Sequence, residues 1–425
     1  MSQIFKQTLR HMRQQPLLAT LSVVGTALAI CLIMIVMMTR EVQLADYANE
    51  PNRSRTLYVK AYKLSNPQYT TFSQGLDQSM INGVFARLKQ PEAVALFTPW
   101  AMYLEAQLPG GDLYNLQTLA VNADYFKVYS LHFLEGRAFT REECASNTPI
   151  ALLSRKAARS IFGQDTGLRG RTFLLANREY RVAGVVDNVS TLLTVAHSDI
   201  WVPANWTNGN PHPLAASNLQ PAYCSVALLM KDPGDAGRVR SEMAQVLRAY
   251  NQSIAPDTLS FGAQPDVHEA FINRMWAATD PDLGETHLEL AIVFAILLIV
   301  PAINIASMTQ SRLRQRREEI GVRRAFGARR ASILWQTLAE SFVQAVLASA
   351  LGLVLCFVLC WIAPNFIFQQ GALTGELSEI TLDARAFFSW TIYAWAAVFC
   401  VLLNVMSSLV PAWRACRTDI VRSLK

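Results

Sequence analysis

Apolar residues in this chain are gathered into blocks rather than spread along it. Four stretches are long enough and free enough of charge to cross a bilayer, which takes about 20 apolar residues. They run from Leu17 to Met38, from about Leu290 to Met308, from about Ser341 to Ala363 and from about Phe387 to Val410. With their flanks they predict spans over residues 17–38, 288–310, 333–363 and 387–411. Buried helices of soluble proteins are usually shorter and amphipathic, so a membrane origin is the better reading. Pro301 and Asn304 interrupt the second stretch; Pro301 is expected to kink it and Asn304 to hydrogen-bond to a neighbouring helix. Lys6, Arg10 and Arg13 before the first stretch suit a secretory signal. Its apolar run is too long for one, however, and no small-x-small cleavage site precedes the polar sequence after Arg40, so a retained anchor is expected.

The pattern changes between the first two stretches. Over residues 39–287 apolar and polar positions alternate with periods of both strands and helices. Thr172-Phe173-Leu174-Leu175 and Tyr180 to Val186 read as paired strands across a turn at Asn177-Arg178. Ser154 to Phe162 reads as a helix with Ser154 as its N-cap and Gly163 as its stop, and Asp235 to Tyr250 as an amphipathic helix. About 250 residues suffice to bury a core of their own. The expected fold class is an integral membrane α-helical protein with four transmembrane helices and a large extracytoplasmic α+β domain inserted between helices 1 and 2. Ile4, Phe5, Thr8, Leu9 and Met12 share one apolar face opposite Lys6, Arg10 and Arg13, which predicts an interfacial helix over residues 1–16. Gly25 and Ala29, and Ala348 and Gly352, are small residues four apart that let helices approach closely in lipid.

Charge fixes the expected orientation. The 425 residues carry a net charge of +6, with 52% apolar and 16% charged residues and a mean hydropathy of +0.20. That balance excludes disorder and is poor in charge for a soluble enzyme. The basic residues crowd three flanks: Lys6 to Arg13, Arg312 to Arg330, and Arg414 to Lys425. The connection over residues 364–386 has Glu376, Glu379 and Asp383 against Arg385 alone. All three basic flanks and both termini are therefore expected in the cytoplasm, and residues 39–287 outside. The excess positive charge is this asymmetry, so no nucleic-acid partner is implied. Membrane lipid is.

Catalytic signatures are missing. There is no G-x-x-x-x-G-K-[ST] phosphate loop and no G-x-S-x-G elbow, and the six histidines (11, 132, 197, 212, 268 and 287) show no metal-ligand spacing. No catalytic residue, metal or bound cofactor is expected in this chain. Cys31, Cys356, Cys360 and Cys400 fall in the apolar stretches as packing residues, and Cys416 in the tail. Cys144 and Cys224 lie in the external block and can pair as a disulfide if their Cα atoms approach. Four N-x-[ST] sequons, at Asn52, Asn188, Asn205 and Asn251, read as chance occurrences. Acidic residues are absent from the interior of the four spans, with Glu340 at an end, which argues against an ion-driven transporter.

The most informative stretch is Arg312-Leu313-Arg314-Gln315-Arg316-Arg317-Glu318-Glu319-Ile320-Gly321-Val322-Arg323-Arg324-Ala325-Phe326-Gly327-Ala328-Arg329-Arg330. Apolar Ile320, Val322 and Phe326 stand among charges, and Gly321 and Gly327 permit tight turns. By its physics alone it is equally a solvated charge run, a lipid-headgroup anchor or a docking surface for a cytoplasmic partner. Glu319 to Ala328 (E-I-G-V-R-R-A-F-G-A) resembles the signature of FtsX/MacB-like ABC-transporter permeases, and Pro411-Ala412-Trp413-Arg414-Ala415 resembles the family's closing P-x-x-R-A pattern. Val121-Asn122-Ala123-Asp124-Tyr125-Phe126, Glu135-Gly136-Arg137-Ala138-Phe139, Ile161-Phe162-Gly163 and Gly184-Val185-Val186 resemble the MacB-type periplasmic core domain.

The resemblance implies a type VII ABC permease in a bacterial inner membrane, paired with a second, identical or different, permease subunit and docked on a cytoplasmic ATPase that supplies ATP and magnesium. The layout without a phosphate loop departs from MacB itself and is closer to members like the lipoprotein-release permeases LolC and LolE. A coupling helix is implied at about Arg316 to Arg330: Glu318 or Glu319 and Arg323 and Arg324 would meet charged groups, and Ile320, Val322, Phe326 and Gly327 the groove of the ATPase. The chain itself would be non-enzymatic. Two outputs stay open: export or extraction of a peptide, drug or lipoprotein, with a periplasmic adaptor as a further partner, or FtsX-like signalling that activates a periplasmic cell-wall hydrolase. A membrane enzyme is the third class, and it lacks a catalytic constellation.

Overall fold

A computed structural model of the protein describes residues 16–46, 49–100, 102–190, 193, 195–207, 223–315 and 330–362, together with Val322, Phe326 and scattered positions between 394 and 413. The expected interfacial helix, the connection over 364–386, the tail, Cys400 and Cys416 lie outside the described residues, as does most of the 316–329 segment. The chain divides into two compact units, one holding the long apolar helices and one covering Val42–Leu283.

In the first unit, helix α1 spans Pro16–Leu44, six residues beyond the predicted end. The segments Val23–Glu41 and Ala331–Ile362 are long and apolar enough to cross a membrane. Between Val42 and Leu283 the helices are α2 (Gln78–Gly83), α3 (Tyr125–Val128), α4 (Arg141–Ala145), α5 (Arg155–Phe162), α6 (Ala236–Ser253) and α7 (His268–Asn273). Two long helices follow, α8 (Leu283–Gln315) and α9 (Arg330–Ile362), and α8 runs on through Pro301 without a break. Of the fourth predicted span, Ala394, Val398, Val401, Leu402 and Val405–Leu409 are described, and all are helical, as is Trp413 just beyond it.

The Val42–Leu283 unit is built on strands β1 (Thr56–Val59), β2 (Ala61–Ser65), β3 (Thr70–Gln74), β4 (Ala93–Phe97), β5 (Met102–Gln107), β6 (Tyr114–Val121), β7 (Phe133–Gly136), β8 (Ile150–Ser154), β9 (Thr172–Leu175), β10 (Arg178–Val186), β11 (Ile200–Pro203), β12 (Ser225–Leu229) and β13 (Thr258–Ser260). The main sheet runs β1-β12-β4-β6-β11-β8-β10-β9-β5, and β5 pairs back onto β6, so part of it closes on itself. The β10–β8 and β11–β6 pairs are parallel and the others antiparallel. A small sheet, β13-β2-β3, stands beside it.

Period-2 alternation divides the core. Leu57, Val59, Leu96, Leu153 and Val182 pack on one face with α2, α5 and α6. Tyr58, Phe97, Val121, Leu152 and Trp201 pack on the other with α3, α4 and α7. Both faces are covered, which is why β8, β11 and β12 are buried along their whole length rather than every second residue. Helix starts follow their caps: the Asp77 carboxylate accepts from the Met80 N–H, Thr140 and Glu143 form a reciprocal capping box, and Ser154 accepts from the Ala157 N–H. Gly163 ends α5 in the left-handed conformation, as predicted, and α6 begins one residue after its predicted start, with Asp235 as N-cap, and runs three residues further.

Two expectations are corrected. The β9–β10 turn is at Ala176-Asn177, one residue earlier than expected, and Leu175 pairs with Arg178. A two-residue hairpin turn of this type needs positive φ at both central positions (49° and 61° here), which Asn tolerates far better than Arg. Cys144 and Cys224 form no disulfide: both are free and buried, Cys224 on the first face of the sheet and Cys144 on the second. Cys224 packs in one core cluster and Cys144, on α4, in the other. Burial pushes the Cys144 thiol up to about 12 and the Cys224 thiol well above its usual range, so neither is a ready nucleophile. The four sequon asparagines all have structural work. Asn52 donates to the Lys127 and Val128 carbonyls, Asn205 to that of Ala145 and Asn251 to that of Leu259, while Asn188 accepts from the Lys156 N–H.

Three of the short motifs find their reason here. Gly136 and Gly184 face each other in the β7–β10 register. A Cβ at Gly136 would collide with the Ala183 carbonyl oxygen and the Gly184 Cα, and one at Gly184 with the Glu135 carbonyl oxygen. Asn122 accepts from the Leu96 and Tyr125 N–H groups and donates to the Val94 carbonyl, tying β4 to the start of α3. Gly136→Ala, at φ +84°, is expected to lower stability by at least ~2 kcal/mol, a fall of about 4–8 °C in the melting temperature of the purified protein. Gly163→Ala, at φ +70° with open space around it, should lose only ~1 kcal/mol. Equal losses at the two glycines would show that backbone contact is not what β7 and β10 require.

Candidate functional site: a polar clamp joining the two ends of the Val42–Leu283 unit

The chain enters the Val42–Leu283 unit just after Glu41 and leaves it just before Gly284. The residues beside these two points are held together by a buried network. Glu50 and Arg53 are three apart on the short stretch before β1, so their side chains reach each other locally. Arg53 Nε donates to Glu50 Oε2 at 2.6 Å, and another Arg53 nitrogen to the Ala45 carbonyl at 2.7 Å. Glu50 Oε1 accepts from the Ala196 N–H at 2.9 Å, and Asp46 accepts from the Ser54 N–H and hydroxyl. The residues that follow α1 are thus stitched to the root of β1.

The outgoing segment meets the same place. Tyr58 and Asp266 exchange backbone hydrogen bonds at 2.8 Å in both directions. His268 Nε2 lies 3.0 Å from the Gln43 carbonyl and Nδ1 3.4 Å from the Tyr58 hydroxyl. That assigns the Nε2 proton to Gln43 and leaves Nδ1 to accept from the tyrosine. The Tyr58 ring stacks on Phe271 with centroids 4.4 Å apart, and Lys60 Nζ donates to the Phe271 carbonyl at 2.9 Å. Gln264 accepts from the Lys60 N–H and donates to the Ala61 and Phe261 carbonyls. Arg274, 1% exposed, forks onto Asp266 at 2.6 and 3.1 Å and reaches Asp280 at 2.8 Å. Residues more than 200 apart in sequence therefore form one connection.

Burial sets the charge states. It pushes His268 down to about 4, helped by the Arg53 cation and opposed by Glu50, so the imidazole is neutral at ordinary pH. It pushes Lys60 down to about 8, against the attraction of Asp266. Tyr58 and Tyr129 are raised far above the ordinary phenol range, again chiefly by burial. Carboxylate, guanidinium and imidazole are all committed to neighbours or main chain, which suits holding rather than proton transfer. Among the described residues no three His, Cys, Asp or Glu side chains converge to hold a metal ion.

Of the residues singled out from sequence for ATPase coupling, Arg316, Glu318, Glu319, Ile320, Arg323, Arg324 and Gly327 lie outside the described residues. Val322 and Phe326 are one helical turn apart, joined by a 3.0 Å hydrogen bond from the Phe326 N–H to the Val322 carbonyl, and Phe326 is 88% exposed. Gly352 faces α1, where an added Cβ would stand 2.8 Å from the Ala27 carbonyl oxygen and 3.0 Å from Ile30, and Ala348 is buried one turn before it. Gly25 and Ala29 are half-buried, and the side chains of Pro301 and Asn304 are outside the described set. The clamp went unseen in the sequence. Only the Glu50–Arg53 spacing is a local signal, and nothing in a linear pattern links it to His268 or Arg274.

Comparison with known families agrees with this architecture. Residues 19–246, more than half of the chain, match the MacB-like periplasmic core domain, and residues 291–420 match the FtsX-like permease C-terminal region. The chain belongs to the FtsX/MacB-like family of ABC-transporter permeases. It is 22% identical over 347 residues to the macrolide export ATP-binding/permease protein MacB of Escherichia coli strain K12, covering 81% of this chain and 50% of that protein. To the MacB of Escherichia coli O6:K15:H31 it is 23% identical over 248 residues, 58% of this chain and 36% of the other. The chain spans about half the length of the curated relatives it matches. Among solved structures it is similar to the extracellular domain of the transporter YknZ from Gram-positive bacteria, with 18% identity, 48% of this chain and 99% of that chain covered, and a TM-score of 0.35.

Two predictions follow from the clamp. Arg274→Ala leaves Asp266, 4% exposed, as a buried unpaired charge, and should lower stability by ~3–5 kcal/mol, whereas Asp280→Ala, at the exposed partner, should lose no more than ~1 kcal/mol; thermal unfolding in detergent measures both. His268 is depressed in the folded state relative to an unfolded histidine near 6.5, so its contribution is present above that pH and is lost as pH falls from about 6.5 toward 4. The loss amounts to up to ~3 kcal/mol. His268→Gln should flatten the acid limb of the stability–pH profile, and an unchanged limb would place the acid sensitivity elsewhere.

Proposed function

We propose that this chain is the permease subunit of an inner-membrane ABC transporter, and that it turns ATP hydrolysis on a separate ATPase polypeptide into movement of its external domain. The observation that carries this reading is the clamp. Arg53, Tyr58, His268 and Arg274 bind the incoming and outgoing ends of the domain to each other, so a displacement of either end is imposed on the main sheet through β1. Four membrane helices with both termini inside, and a paired second permease, complete the proposal. Trp335 and Trp361, 71% and 78% exposed on α9, support the membrane placement. They are 26 positions apart, about 39 Å along a helix, close to the bilayer thickness with its headgroup regions, where exposed tryptophan is favoured. The exposed Phe326 supports the coupling site, since a large aromatic side chain in water is the kind of anchor that fills a partner's pocket.

The substrate class is a peptide, drug or lipoprotein handled on the outer side of the membrane. Force delivered through the same clamp to a periplasmic hydrolase gives the signalling output instead.

Reconstitution with candidate ATPases in lipid nanodiscs tests the proposal. The chain should capture an ATPase and raise its turnover in the presence of substrate. Glu319→Lys should insert normally, bind the ATPase at least tenfold more weakly and lose substrate stimulation, because reversing one member of a desolvated charge pair costs 2–5 kcal/mol or more. Normal stimulation in that variant would remove Glu319 from the coupling surface, and a chain that captures no ATPase would remove the reading as a whole.

A further inference from the structure

Two large apolar side chains next to the clamp are left uncovered. Met275, 75% exposed, and Trp276, 70% exposed, are consecutive, and they are the most exposed large apolar residues among those described in the Val42–Leu283 unit. They open a short loop, Met275 to Thr279, whose two ends are both held. Arg274, buried, donates across the base of the loop to the Thr279 carbonyl at 3.2 Å and to the Asp280 carboxylate at 2.8 Å. The Met275 carbonyl accepts from Gln74 Nε2 on β3 at 2.7 Å. Single exposed apolar residues are ordinary on a protein surface. Two adjacent ones on a loop cinched by a buried arginine are presented to something. Met275 to Thr279 carry no charge, and Asp280, Asp282 and Glu285 follow them.

We propose that Met275 and Trp276 insert into the headgroup–acyl boundary of the membrane's outer leaflet. The inference rests on the membrane placement of residues 288–310 proposed above. Trp276 stands seven residues before α8 begins at Leu283, and a chain spans at most about 3.6 Å per residue, which keeps it within about 25 Å of the helix start. Tryptophan is favoured at that depth, because its ring is apolar and its indole N–H takes a polar partner. A protein partner fits less well. Two side chains of about 150–250 Å² each fall short of the roughly 800 Å² per partner that a stable interface buries. Charge is not the source of the attraction either. The loop holds no cation, and the acidic residues after it would repel anionic headgroups, so apolar contact supplies the binding. The contact would give the exit end of the unit a lipid attachment of its own, beside the helix that follows.

The test uses the full chain, with Cys360, Cys400 and Cys416 replaced by Ala, in phosphatidylcholine nanodiscs holding one chain each. Cys31, Cys144, Cys224 and Cys356 are buried and stay unlabelled. A nitroxide is attached at Ala278→Cys, which is exposed on the loop and leaves Met275 and Trp276 in place. Two reference labels go at Asp112→Cys, exposed between β5 and β6, and at Ile296→Cys, exposed on α8. Collision with a water-soluble nickel chelate should be at least about threefold rarer at 278 than at 112, and the same at about 0.05 and 0.5 M salt. Met275→Ser with Trp276→Ser should raise collision at 278 to the level at 112 without lowering the melting temperature, because neither side chain is packed in the core. Equal collision at 278 and 112, with 296 shielded, would overturn the insertion and leave the placement of α8 standing. Nickel reaching 296 as freely as 112 would remove that placement and the insertion together. Shielding of 278 that appears only with two chains per disc would assign the loop to a second copy and overturn the lipid contact.

Discussion

The external domain depends on one electrostatic constraint: guanidinium groups that enter a low-dielectric interior must be paired there. Arg53 and Arg274 are both almost fully buried, and each has found a carboxylate and a main-chain carbonyl. Losing either partner would strand an ion, so the pairs fix where Glu50, Asp266 and the chain around them can be. Glu50 in turn takes the Ala196 N–H, and Asp266 takes the backbone of Tyr58. The two ends of the domain are thereby held at one place, and β1 between them opens the main sheet.

Above this base the sheet is organised by alternation alone. Leu57, Tyr58 and Val59 pack on opposite faces in turn, and each face then needs a layer of helix to cover it. Close backbone contact at Gly136 and Gly184, and the triple hydrogen bonding of Asn122, fix the register where side-chain burial cannot choose among equally apolar residues. The sheet is buried on both faces, and β1 ties it to the clamp that joins the two ends of the domain.

The long helices follow a different physical rule. Apolar length identifies them, and within them small residues decide which faces touch. Gly352 against Ala27 sets a close approach of α9 to α1, and one turn further along the Cys356 sulfur stands 3.9 Å from that of Met38. The exposed tryptophans near the two ends of α9 mark where an amphipathic ring is best placed between lipid and water.

Local information in the sequence decided much of this protein. Periodicity and caps placed α5 and α6, turn chemistry placed the β9–β10 hairpin to within one residue, and apolar length marked α1 and α9, because each of these depends on neighbours a few positions away. The short motifs pointed to the family before their physical reason was visible. Only the tertiary structure decided that Cys144 and Cys224 sit on opposite faces and stay free, that Gly136 meets Gly184, and that Arg53, Tyr58, His268 and Arg274 form one clamp. These are contacts between residues from tens to more than 200 positions apart. No local propensity encodes them, and they exist only once the sheet has brought its distant strands into register.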